Sequence, residues 1–142
     1  MFFGLILIAL LAPEGAKSRG AVFVVIAHPE VPGDSIDKDA LGRLFLKKTT
    51  KWPDGTRARP VDQPRAAAVR ELFCRRVFGK SAQAVASFWR QSIFSGGGIP
   101  PPTAKNDSAV IDFVSKTTGA VGYVSDSVKS FPGVKLIVIK DR

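Results

Sequence analysis

The segment running from Pro60 to Val69, "PVDQPRAAAV", holds the residue types best suited to bind something. A short extended stretch ending near Val61 feeds a helix that Pro64 or Arg65 opens. The first N–H groups of a helix lack intrahelical partners and sit at the positive end of its dipole, so an anion is favoured there. Arg65 adds a formal charge, and Gln63, Ala66 and Ala67 supply backbone positions at the helix start. These four are the candidate ligand-binding residues, and a small oxyanion is the ligand they suit. Every strand-to-helix turn carries such N–H groups, however, and by geometry alone a plain turn with Asp62 as its N-cap outweighs a binding site.

Other chemistry is sparse. His28, the single histidine, ends an apolar run, where open α/β sheets place ligands, but where polar residues are also commonly just solvated. Asp34, Asp37 and Asp39 precede a helix, and acidic residues there favour its dipole, a reading that outweighs a metal site. Cys74 is the only cysteine, so no intramolecular disulfide forms. It reads as a small half-buried helix residue; Arg75 and Arg76 follow it, and no histidine lies close by to act as a base. No zinc-type His/Cys set, nucleophile elbow, P-loop or dinucleotide fingerprint is present. "SGGG" (95–98) follows a helix and precedes three prolines, so it reads as a break and not as a phosphate cradle. The residues therefore point to a non-enzymatic protein with no catalytic residues, no metal and no cofactor.

The elements that must position these residues alternate. "AVFVVIAHP" (21–29) is a nearly continuous β-branched run, as in a strand buried on both faces. Pro29, Pro32 and Gly33 break it, and Ser35 is placed to cap a helix with Ala40, Leu41, Leu44, Phe45 and Lys48 on one face. A turn at Trp52–Gly55 leads to a short strand over 57–61. The helix after Pro64 carries Val69, Leu72, Phe73 and Val77 as its stripe and ends at Gly79. Ser81 starts the next, with Ala82, Val85, Trp89 and Ile93 on one side. Asn106, Asp107 or Ser108 caps a third, which Gly119 closes. Strands follow over 120–124 and 134–140. The pattern predicts an α/β fold with a small, mostly parallel sheet flanked by helices.

The chain has 142 residues, 45% of them hydrophobic, and a formal charge of +9. One domain with a real core is expected, and acidic partners are favoured. Phe2 to Ala12 is an apolar run too short for an ordinary bilayer span and suited to a signal-peptide core. Residues 1–20 are accordingly expected to be a cleaved leader and 21–142 a single domain, periplasmic or secreted, with no stable membrane span after cleavage. Cleavage would remove Lys17, Arg19 and Glu14 and leave a charge of +8.

"LFLKKTTKWPDGTRARPVDQPRAAAVRELFCRRVFG" (44–79) resembles the phosphate-type substrate-binding proteins of ABC transporters, the PstS-like family. Members show a helix ending in a Phe-Leu-Gly-Lys-like run, a Trp-x-Asp-Gly turn, a strand, and a helix with a central Phe. Phe45-Leu46, Lys48, Trp52, Asp54-Gly55, Pro60-Val61 and Phe73 match in that order, and "FWRQSIFSGGGIPPP" and "VIDFVSKTTGAVGYVS" extend the match to about Val124. The resemblance implies one lobe of a type II periplasmic binding protein that takes phosphate or a related oxyanion for transport. It also implies that Trp52 packs its turn against the sheet, with the neighbouring lysines as the solvated side. The sequence departs from the family twice. There is room for one lobe where members have two, and Gln63-Pro-Arg-Ala-Ala67 stands where the family has a Ser-Gly-Thr loop. The alternative is a single-lobe envelope interaction module that has lost its ligand, with an envelope protein or transporter as partner. Nucleic acid is the least favoured partner, because the arginines are dispersed and no aromatic-basic alternation is present.

Overall fold

Phe23–Ala27, led by four consecutive residues of high β propensity, forms the central strand β1. Side chains alternate across a strand, and here they feed two cores: Val25 and Ala27 enter one cluster, Ile26 the other. The structure is a computed structural model that describes residues 22–141; the expected leader lies outside that range. After β1 come β2 (Ser35–Asp37), α1 (Lys38–Phe45), β3 (Arg59–Pro60), α2 (Ala68–Phe78), α3 (Ala82–Phe94), α4 (Asp107–Lys116), β4 (Ala120–Ser125) and β5 (Lys135–Lys140).

The sheet has the order β2-β5-β1-β4-β3. β4 and β5 pair antiparallel with β1, while β2 pairs parallel with β5 and β3 parallel with β4. Four strands thus point one way and β1 alone points the other, so the mostly parallel character holds in strand direction although both ladders of β1 are antiparallel.

One face of the sheet is covered by α1 and α2 around an aromatic nucleus. The Phe73 and Tyr123 rings stack at 3.9 Å and 4°, Phe23 meets Phe73 edge-on at 5.3 Å, and Phe45 lies 4.7 Å from Phe73. The other face is covered by α4, whose Val110, Ile111 and Val114 pack on Ile26, Ala120 and Val124. Gly122 lets α4 approach this closely: a Cβ there would sit 2.7 Å from Val110 Cγ1 and 2.8 Å from Val61 Cγ1. Outside α2, helix α3 buries Ala82, Val85 and Trp89 against Cys74.

The Trp52 turn is structural, as expected. Trp52 is buried in the α1/α2 core, its carbonyl accepts from Gly55 N at 2.9 Å, and its Nε1 donates to Gly119 O at 2.9 Å. Two helix caps also match expectation: Ser81 Oγ accepts from Ala84 N at 3.1 Å, and Asn106 Oδ1 from Ala109 N at 2.9 Å.

Three boundaries differ. Ser35 caps no helix; Ser35–Asp37 pairs with β5 instead, tucking Ile36 against the core, and α1 starts at Lys38. The expected strand over 57–61 shortens to Arg59–Pro60, an edge position where the missing proline N–H is tolerated. The helix expected from Pro64 begins at Ala68, because residues 64–67 form a turn closed by Ala67 N donating to Pro64 O at 2.9 Å.

Candidate functional site

The chain leaving β3 is clamped to the segment before α4. Asp62 N donates to Pro102 O at 2.8 Å, and Ala104 N donates to Asp62 O at 2.9 Å. Asp62 is not the N-cap of α2; that position is Ala67, which makes no side-chain cap bond. Its carboxylate instead accepts from the Tyr123 hydroxyl and from Gln63 N at 2.9 Å, and pairs with Arg70 Nη2 at 3.6 Å. Gln63 is buried at 1% exposure, and its Nε2 donates to Asp107 Oδ1 at 2.7 Å and to Tyr123 O at 3.1 Å. Arg70 Nη1 donates to Gln63 O at 2.9 Å, while Arg70 Nε is buried with no partner among the described residues. Asp107 also accepts from Ser125 N at 3.1 Å and from the Ser125 hydroxyl. Because Asn106 takes the capping role, Asp107 is free to turn inward and make these bonds.

The Tyr123 phenol is pushed well above the ordinary tyrosine range, first by burial and then by the Asp62 charge beside it. It remains a neutral hydrogen-bond donor. Burial likewise pushes the Cys74 thiol up to about 11, with the Asp62 charge adding to the effect. The arginines following Cys74 do not activate it. Arg75 pairs with Glu71 at 3.3 Å and Arg76 with Asp141 at 2.6 Å, while Cys74 faces α3.

Above this network lies a cleft of about 400 Å³ whose lining includes Asp62, Arg65, Arg70, Trp89, Arg90 and Thr103. Of the four residues singled out from the sequence, Arg65 lines the cleft. Ala66 is exposed beside it, and its N–H donates to no other described backbone carbonyl. Gln63 points inward with its N–H engaged, and Ala67 N is used in closing the turn. The structure therefore joins Arg65 to Arg70 and Arg90, neither of which the sequence singled out as a ligand candidate. Tyr123 was also missed as a polar anchor, although a hydroxyl inside an apolar strand demands a partner. His28 does not line the cleft; its ring Nδ1 accepts from Glu30 N at 3.1 Å, and its backbone N–H donates to Ala120 O at the start of β4. The glycines of "SGGG" fold back on the end of α3, Gly96 N to Ile93 O at 3.0 Å and Gly97 N to Ser92 O at 2.7 Å.

Three arginines line this cleft: Arg70 is engaged by Asp62 and Gln63 O, Arg90 Nη2 donates to Ser87 Oγ at 2.8 Å, and the one carboxylate is held by Tyr123 and Arg70. That balance suits a small anion. No protein-family model and no curated protein sequence matches the chain. Solved structures do. A protein from Clostridium perfringens described as a phosphate ABC transporter substrate-binding protein, solved with bound phosphate, aligns with a TM-score of 0.64 at 16% identity over 82% of this chain. An ABC-type phosphate transport receptor from Vibrio cholerae gives 0.57 at 17% identity over 82%, and PstS from Borrelia burgdorferi 0.55 at 12% over 83%. This chain spans 44%, 45% and 47% of their lengths, respectively. At these identities the likeness is one of fold: a mixed α/β unit matching part of a periplasmic-binding-protein fold. Among the described residues, no helix is long and apolar enough to cross a membrane.

Proposed function

We propose that this chain is an exported, non-enzymatic solute-binding domain for phosphate or a related oxyanion, serving an ABC-type uptake system. One observation carries the reading: Arg65, chosen from the sequence as the anion ligand, shares a cleft with Arg70 and Arg90. The fold, likened to phosphate-binding proteins, supports it. Arg65 supplies charge and the Ala66 N–H an adjacent donor, while Gln63 and Ala67 hold the turn in shape. The cleft opens to solvent, so affinity is modest and falls with added salt. Calorimetry of the purified protein with phosphate and sulfate, repeated on Arg65→Ala, tests this reading.

A second reading, an envelope interaction module, draws on a different observation. Ile93, Phe94 and Ile99, exposed by 51%, 94% and 69%, lie on or after the end of α3, and Ile93 also lines the cleft. Apolar residues this exposed fit a protein contact. An envelope protein or transporter that covers them would also close over the cleft, so the two readings are compatible in one assembly.

A further inference from the structure

A second basic groove has Pro102 in its lining, in the same segment that lines the Arg65 cleft through Pro100, Pro101 and Thr103. It has a volume of about 530 Å³ and is lined by Lys47, Thr49, Thr50, Lys51, Arg57 and Arg59, together with apolar residues and no Asp or Glu. Among the described residues, none of these four cations lies within ion-pair distance of a carboxylate. Lys48, next in the chain, lies away from the groove with its ammonium 5.9 Å from the Phe88 ring.

One feature of this groove costs stability unless an anion offsets it, and a second adds a cation at a strained position. Lys51 and Arg57 are paired across an isolated antiparallel bridge, so two like charges face each other, an arrangement that destabilises a strand pair. Arg59 extends the same sign two residues on, on the same side of the extended segment. Lys47 has φ 57° and, among the described residues, is the one non-glycine with positive φ. It follows the α1 C-cap Leu46, the position where glycine is favoured because a Cβ is strained there. The chain thus places a lysine where the backbone asks for glycine, on the wall of a groove already crowded with cations.

We infer that this groove is a binding site, separate from the Arg65 cleft, for a multiply charged phosphate chain of the inorganic polyphosphate type. Its elongated charge matches a row of cations, and the Thr49 and Thr50 hydroxyls supply neutral donors to phosphate oxygens. Bases gain nothing here: the one ring in the lining, Phe113, is half-buried against the α4 core and offers no stacking platform. A membrane surface would need protruding apolar residues, whereas those lining the groove are Leu44, Ala58, Pro60 and Pro102 in its walls.

Fluorescence anisotropy of end-labelled short polyphosphate with the full chain tests the inference. Lys51→Ala/Arg57→Ala/Arg59→Ala is expected to weaken binding about 30-fold, roughly threefold per exposed cation. Its log–log salt slope should become shallower by about 0.7 per cation removed. Lys47→Gly gives an internal control, because it should raise the melting temperature while weakening polyphosphate binding, a combination that misfolding does not produce. The triple variant should keep the calorimetric affinity for phosphate of the Arg65 cleft, which none of its three residues lines, so a failure of that cleft and a failure of the groove are told apart. Unchanged binding in both groove variants overturns the inference. So does tighter binding to phosphatidylglycerol vesicles or to single-stranded RNA at equal phosphate concentration.

Discussion

Tyr123→Phe isolates one hydroxyl, the one that donates to Asp62 in the cleft lining. The ring keeps its place, since its stack on Phe73 at 3.9 Å and its contacts with Phe23 and Phe45 do not involve oxygen. Lost are the hydrogen bond to the Asp62 carboxylate and the longer one from Gln63 N at 3.3 Å. A hydrogen bond to a charged group contributes about 1.5–3 kcal/mol. Asp62 is not orphaned, because Gln63 N at 2.9 Å and Arg70 at 3.6 Å remain, which keeps the loss toward the middle of that range. Urea unfolding should therefore show a destabilisation of about 2 kcal/mol with an unchanged m-value. In a double-mutant cycle with Asp62→Ala, the two losses should fall short of additivity by about 1–2 kcal/mol, since both remove the same bond. A loss below about 0.5 kcal/mol, or additivity within about 0.5 kcal/mol, would refute the assignment of Tyr123 as the anchor of the Asp62–Arg70 pair.

Trp52→Ala should cost about 3–5 kcal/mol in the same assay, because it empties a buried site and abandons Gly119 O; a loss near zero would place the indole in solvent. The Cys74 thiol should resist a thiol reagent at pH 8 until the protein unfolds, and brisk reaction in the native state would contradict its burial. Its raised value also sets a sign for pH. The thiol's contribution is full below its unfolded value of 9 and is lost as pH rises through about 11, so the stability gap between the wild type and Cys74→Ala should narrow in favour of the variant across that window.

Features set by nearby residues were legible from the sequence. The β-branched runs gave β1 and β5, Ser81 and Asn106 capped their helices, and Trp52 with Asp54-Gly55 announced a structural turn. What was not legible depended on partners far along the chain. Ser35–Asp37 is a strand only because β5, about a hundred residues later, pairs with it. Residues 64–67 form a turn and not a helix, in keeping with Gln63 being drawn inward to Asp107 and Tyr123. Arg65 was identifiable as a ligand candidate because it sits at a strand-to-helix junction. Arg70 and Arg90 were not, because they lie on two different helices, and only the packing of α3 beside α2 brings them to the same cleft.

The most direct test of the central claim is isothermal titration of the purified protein with phosphate, run in parallel on Arg65→Ala. Saturable binding at millimolar or lower concentration is predicted, weaker by about 1.5–3 kcal/mol in the variant, the range of a charged hydrogen bond. Added salt should weaken wild-type binding further. No binding at millimolar phosphate, or equal affinity in the two proteins, would contradict the assignment and leave the interaction module as the better account.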